Sequence, residues 1–358
     1  MSTGGLALLL SPATQPHTFP GLFTIGKIVY IFDLVLFTLI TAAMVFRFMQ
    51  RPRLLRESIT HPTEGLFFPT VFLSLASIIG CIDRYGVPEC GTWLVVTYRV
   101  LFWMYFAITF LVAVGMYYML FSNPSLKIED MTPAWDLPIF PVMLSGTIAS
   151  IGAANQPTHH AVPMIVAGLA GQGLGMIISL LMYACYMHRM IQYGFPSPAS
   201  RPAMFIAVGP PAFTSLALIG MANSFPTDVR YFNADGTSLV TVLKILATMT
   251  AVFIWCLSLW FFCISLLAVL AVAKDLTFHL SWWAFVFPNV GFTIAIIDIG
   301  KQFESEGVRW LGSAMTVCLV ATYFFVLVMH MKAVFRMDIM FAGKDEDTYY
   351  QETKTKEH

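Results

Sequence analysis

The feature that most limits this chain is a succession of nine apolar stretches, most of them long enough to cross a bilayer. They run 24–46, 66–82, 92–120, 138–154, 162–187, 202–222, 240–273, 281–297 and 310–332. A helix crossing the hydrocarbon core takes about 20 apolar residues. Only 11% of the 358 residues are charged, against about 25% in soluble domains, which is too few to cover a water-facing surface. Lipid is therefore the expected solvent, and helix is the structure that satisfies backbone groups there. A closed β-barrel would show short alternating segments of roughly 10 residues; these runs are longer and unbroken. The chain is predicted to be all-α and polytopic, with membrane lipid as its main contact.

The stretches alternate in length. Those at 92–120 and 240–273 are generous, whereas 66–82, 138–154 and 281–297 barely reach 17 residues. The short ones resemble one another. Phe68-Pro-Thr-Val-Phe-Leu-Ser-Leu-Ala-Ser-Ile-Ile-Gly80 lines up with Phe140-Pro-Val-Met-Leu-Ser-Gly-Thr-Ile-Ala-Ser-Ile-Gly152. Gly209-Pro-Pro-Ala-Phe-Thr-Ser-Leu-Ala-Leu-Ile-Gly220 and Phe287-Pro-Asn-Val-Gly-Phe-Thr-Ile-Ala-Ile are looser copies. Pro69, Pro141, Pro210 and Pro288 stand 72, 69 and 78 residues apart. One period back from Pro69 lies Met1-Ser-Thr-Gly-Gly, at the start of an apolar run too short to span. That run is either a re-entrant stub or the second half of a helix, and the repeat favours the latter.

Counting it, the sequence predicts ten transmembrane helices, the first truncated, as five tandem short-plus-long hairpins. Five such pairs close naturally into a ring, with a staggered bundle as the alternative. Repeated units can build a path at their shared centre. Each proline is expected to free a carbonyl and bend its helix there. Thr3, Ser74, Ser145, Thr147, Thr214, Ser215 and Thr293 are candidate pore lining, as neutral hydroxyls that hold an anion weakly. Phe68 and Phe140 share one register before a proline and join that set. Small and hydroxyl residues also serve plain helix contact in membranes.

Thirteen of the 20 basic residues fall after the long stretches or in the C-terminal tail. The positive-inside rule places that side, and with ten helices both termini, in the cytosol. The transport domain is read as 1–336 and a polar cytosolic tail as 337–358. Zero net charge and the lack of any basic tract exclude nucleic acid. No Walker loop, nucleotide fingerprint, His-Glu-x-x-His or embedded acid pair supports an enzyme, and nothing implies a cofactor or metal. The six Cys have no metal spacing. Cys81 and Cys90 flank what reads as one short loop, leaving a disulfide open.

At Phe68-Pro69, Trp135-Asp-Leu-Pro-Ile-Phe-Pro-Val-Met-Leu-Ser-Gly146 and Trp282-Trp-Ala-Phe-Val-Phe-Pro288, the chain resembles the tellurite-resistance/dicarboxylate transporter family. That family includes plant guard-cell anion channels, fungal malic-acid transporters and fungal sulfite efflux pumps. The resemblance covers residues 1–336 and is nearest to the fungal C4-dicarboxylate branch; half of the family's first helix is missing. It implies a multi-pass cell-membrane protein with odd helices around a central pore, a homotrimer with one pore per subunit, and no cofactor. It also implies a pore gate, a phenylalanine just before the ninth helix's proline, which is Phe287 here. The implied cargo is malate and related C4-dicarboxylates, with sulfite efflux or passive anion conductance as the alternative.

Among charged groups, Arg99 lies near the start of the 92–120 stretch. A membrane-embedded guanidinium suits a carboxylate, but it also snorkels to the interface, so substrate and structural roles both stand. Lys244 and Lys27 hold equivalent positions and, with Arg99, would concentrate anions at the outer mouth or serve as interfacial anchors. Asp298 is expected to pair with one of these three. His159-His160 is either an external pH sensor or a solvated loop pair.

Overall fold

The computed structural model describes residues 1–60, 64–122, 127–229, 238–274 and 276–339. Among them all regular structure is helical, and eight helices are long and apolar enough to cross a membrane. The protein is an all-α, polytopic membrane protein.

Ten helices carry the architecture: α1 (Ser2–Leu9), α2 (Leu22–Gln50), α3 (Thr70–Cys81), α4 (Thr92–Ser122), α5 (Phe140–Gly152), α6 (Thr158–Tyr193), α7 (Gly209–Asn223), α8 (Leu239–Leu270), α9 (Phe287–Gln302) and α10 (Glu306–Phe335). The alternation of length read from the sequence is also an alternation of environment. The most apolar stretch of α2 is 6% buried, while that of the segment containing α7 is 89% buried. The odd helices are rich in Gly, Ala and Ser, which let backbones approach closely. The even helices point bulky side chains such as Ile40, Leu111, Phe253 and Val317 outward.

The short helices touch in sequence, α1 on α3, α3 on α5, α5 on α7 and α7 on α9, and α9 returns to α1. Each long helix packs on the short helix before it. Polar side chains tie neighbouring helices together. Tyr85 beyond α3 donates to the Ala7 carbonyl of α1 at 2.6 Å, Tyr98 of α4 to Ile148 of α5 at 2.6 Å, and Ser258 of α8 to Val208 at 2.7 Å.

The prolines differ from expectation. They start α-helices rather than bend continuous ones. Pro69 precedes α3, Pro141 and Pro288 are the second residues of α5 and α9, and Pro210-Pro211 follow the first residue of α7. The first turn is where a missing N–H costs least. Upstream, the chain is 3-10 helix at Pro198–Val208 and Leu280–Phe285. The stretches 202–222 and 281–297 are therefore each a tight helix joined to an α-helix. Pro211 leaves the Ala207 carbonyl without its usual donor, and the Tyr183 hydroxyl supplies one at 2.9 Å.

The reading of the segment between Cys81 and Cys90 as a short loop is also corrected. Cys81 and Cys90 are free thiols. They stand at the two ends of a helical continuation, a π-helical turn over Ile82–Gly86 and then Val87–Cys90, not across a loop. Nine residues of helix separate them by about 13 Å, and Cys81 turns inward toward the Gly4 carbonyl at 3.6 Å. Of the polar tail, residues 340–358 lie outside the described residues.

Candidate functional site

Three aromatic rings meet inside the circuit of short helices. Phe287 opens α9, and its ring centroid lies 5.2 Å from that of Phe213 on α7 and 6.2 Å from that of Phe140 on α5. Phe140 and Phe213 are 5.6 Å apart. All three are buried. Glycine makes the room. Gly209 stands in α7 where Phe68, Phe140 and Phe287 stand in the other copies, immediately before a proline. A Cβ there would fall 2.6 Å from Cζ of Phe140. A Cβ on Gly291 would fall 2.7 Å from Cδ2 of Phe213. Phe68 is only half-buried, and the ring it meets is Phe72 of its own segment, at 6.1 Å.

A cavity of 310 Å³ lies on the carboxy-terminal side of these rings, lined by residues of all five short helices. That volume is at the lower end for small-ligand sites. Gly5, Leu144, Phe213 and Phe287 form its deep end. Ser77, Thr147 and Ser150 contribute hydroxyl-bearing residues to the wall, and Arg84, Asn223, Asp298 and Lys301 lie at the carboxy-terminal ends of the helices. From Phe287 to Lys301, α9 rises about 21 Å.

The polar end is built by the π-helical turn after α3. Such turns shift side chains out of α-helical register and recur at functional sites. Here Asp83 accepts a hydrogen bond from Asn155 at 2.8 Å, and the Tyr85 hydroxyl reaches the Ala7 carbonyl. These bonds pin the turn on both sides of Arg84, which lines the cavity with no hydrogen bond or ion pair to the described residues. Lys301 donates to the carbonyls of Ala13 and Thr14 at 2.9 and 2.7 Å, fixing the segment that follows α1. Asp298 has no hydrogen-bond partner among the described residues, and the charges facing it are Lys301 and Arg84. The expectation that it pairs with Lys27, Lys244 or Arg99 does not hold: Lys27 is bound to Glu89 at 2.6 Å.

Of the sequence-predicted residues, Phe287 and Thr147 line this cavity. Thr3 shares a hydrogen bond with Tyr323 of α10 at 3.1 Å, and Thr214 accepts one from Gln172 of α6 at 2.8 Å. Ser215 reaches the Ala251 carbonyl of α8 at 3.0 Å. Ser74, Ser145 and Thr293 donate back to their own helices, at the carbonyls of Thr70, Val142 and Asn289. Arg99 is half-buried on α4 near His160, and Lys244 is exposed on α8. The sequence reading missed Ser77 and Ser150, one turn beyond Ser74 and Thr147 on the same faces, a spacing that pointed to them. Arg84 and Lys301 are not singled out by the sequence, because the π turn and the last turn of α9 leave no mark in hydropathy. Among the described residues no cluster of His, Cys, Asp and Glu could hold a metal.

Five short helices thus line one aromatic-floored, partly cationic cavity. Residues 1–331 match the SLAC1 family, described as voltage-dependent anion channel. The chain belongs to this family. It is 37% identical over 352 residues to a malic acid transport protein of Schizosaccharomyces pombe, covering 98% of this chain and 80% of that protein. A putative malic acid transport protein of the same organism is 35% identical over 351 residues, with 97% and 80% covered. A sulfite efflux pump SSU1 of Trichophyton rubrum is 26% identical over 332 residues, with 92% and 86% covered. As a SLAC1-family member the protein is a membrane transport protein for anions and not an enzyme.

Proposed function

We propose that this SLAC1-family protein passes small organic dianions, malate and related C4-dicarboxylates, through a central pore that Phe287 gates. In this reading the ten helices pair as five hairpins, and the circuit of odd helices is the pore wall. The protein works at the cell membrane as a homotrimer with one pore per subunit. The excess of basic residues after the even helices puts both termini in the cytosol, so the 310 Å³ cavity is an outer vestibule.

The observation that carries this is the position of Phe287, whose ring, stacked on that of Phe213, lies at the deep end of a cavity that all five short helices line. An anion in water is solvated on every side. Against three phenyl rings it would lose that solvation in a low-dielectric passage, a penalty too large for thermal passage. Displacing the Phe287 ring lets water and the anion through together. The wall residues Ser77, Thr147 and Ser150 are neutral, which suits a site that must bind and then release. The greater identity to malic acid transport proteins than to a sulfite efflux pump, 37% against 26%, supports the organic cargo.

The test is uptake of labelled malate and sulfite into proteoliposomes, with pH gradient and voltage varied separately. Malate uptake exceeding sulfite flux is expected, rising in Phe287→Ala. Sulfite flux with no malate uptake would transfer the assignment to sulfite efflux.

A further inference from the structure

Arg84 is half-buried at the polar end of the cavity, where its guanidinium makes no hydrogen bond or ion pair with the described residues. Arg189, Arg201 and Arg309 are also half-buried, and each donates to a carbonyl or a carboxylate. Arg84 does not, and neither does Arg99 outside the cavity lining; Arg84 differs in lining the cavity between two bonded neighbours, Asp83 and Tyr85. The turn is thus held rigid while the guanidinium is left free toward the cavity. Removing a cation from bulk water without a partner is costly, and an anionic ligand offsets that cost.

We infer that Arg84 is the anchor of an anion subsite in this cavity, holding one carboxylate of a dicarboxylate in its planar fork. This deepens the transport reading and rests on it. A guanidinium presents paired N–H donors that match a carboxylate's two oxygens. Lys301, on α9, lines the same cavity and gives two of its three N–H groups to carbonyls. Its third is free for the far carboxylate. Two cations on separate helices suit a ligand with two separated charges better than a compact anion. Asp298 faces both, lowering the net positive charge so that the ligand is released onward. The sequence candidates Arg99 and Lys244 lie outside the cavity lining and take no part.

Binding is read at equilibrium, on the full chain in detergent, as the malate-dependent rise in unfolding temperature; this needs no open pore. Arg84→Gln is expected to weaken malate binding by about tenfold or more. Arg84→Lys, which keeps the charge and loses the fork, is expected to recover only part of it. In proteoliposomes the loss appears in KM, with maximal flux little changed, and Arg99→Gln leaves both unaltered. If Arg84→Gln fails to fold, Arg84→Lys decides: malate bound as tightly as by the wild type overturns the subsite. Equal binding by wild type and a folded Arg84→Gln does the same. Wild-type protein with neither a malate-dependent shift nor malate uptake removes the transport reading and the subsite together. Malate binding that depends on Arg84, with no flux gain in Phe287→Ala, removes the gate alone.

Discussion

The ring of Phe287 lies nearly parallel to that of Phe213, with centroids 5.2 Å apart and planes inclined by 27°. The two residues belong to different short helices, and Gly291, one turn along from Phe287, leaves the space that the Phe213 ring fills. The stack joins α7 to α9 at the cavity's deep end, so in the proposed gating one ring must leave the other. Phe287→Ala should therefore raise single-pore anion conductance while oligomeric state and expression stay near wild type. Phe287→Leu should leak less, since the shortened plug remains apolar. Packing alone predicts otherwise, with a cavity costing a few kcal/mol and no gain in current. Stability lost with unchanged current in the alanine variant would falsify the gate.

Adding a methyl group at Gly291 tests the same stack from the opposite direction. The new Cβ would sit 2.7 Å from Cδ2 of Phe213, too close for two non-bonded carbons. The ring must move or the helices must part. Overpacking of this kind costs about 1–3 kcal/mol. Gly291→Ala should lower the unfolding temperature and change basal flux, whereas Gly173→Ala, where a Cβ meets nothing within 4 Å, should do neither. Equal thermal stability for the two variants would mean that the aromatic stack tolerates displacement freely.

Much of this architecture is legible in the sequence. Hydropathy marked the long helices because an even helix such as α2 is apolar on every face, and the spacing of Pro69, Pro141, Pro210 and Pro288 marked the repeat. Phe287 was reached through the family resemblance; composition alone could not separate it from 30 other phenylalanines. The polar end of the cavity was harder to see. Arg84 depends on a π-helical turn, and Lys301 on four further residues of α9 past the expected end at 297, neither of which alters the hydropathy pattern. The hydroxyls are ambiguous for a related reason. Ser215 and Thr214 have the composition of a pore lining, but a helix surface has two sides, and their partners Ala251 and Gln172 are on the outer ring.

The outward faces of the even helices lead to a prediction about assembly. Residues such as Phe46, Leu111, Phe253 and Phe335 are more than half exposed in the single chain, so lipid or a second copy covers them. Detergent-extracted protein should have a protein mass near three times 39.9 kDa, measured by light scattering with the detergent contribution subtracted. A monodisperse monomer that still transports malate would show that assembly is not needed for function.

The last prediction concerns Asp136, in the 3-10 turn ahead of α5 and outside the long membrane-crossing helices. Its carboxyl is buried at 2% exposure. Ser179 of α6 donates a hydrogen bond to Oδ2 at 2.7 Å, and Oδ1 has no partner. Burial pushes the group up from 3.8 to about 7, with the Ser179 bond acting in the opposite direction. The folded protein therefore holds a proton at Asp136 over a range where the unfolded chain has released it. Stability depends on pH through the difference in bound protons, so this contribution is complete below about pH 4. It falls by up to about 1.4 kcal/mol per pH unit as pH rises toward about 7, and then levels off. Asp136→Asn cannot ionise and should lose that slope, gaining stability relative to wild type above about pH 7. Ser179→Ala removes the one bond that favours the charged form and should move the upper end of the window to higher pH. Thermal unfolding midpoints across a pH series, taken as the difference between wild type and Asp136→Asn, isolate this group from the other carboxylates. Parallel curves for the two proteins would show that Asp136 ionises normally and that water reaches Oδ1.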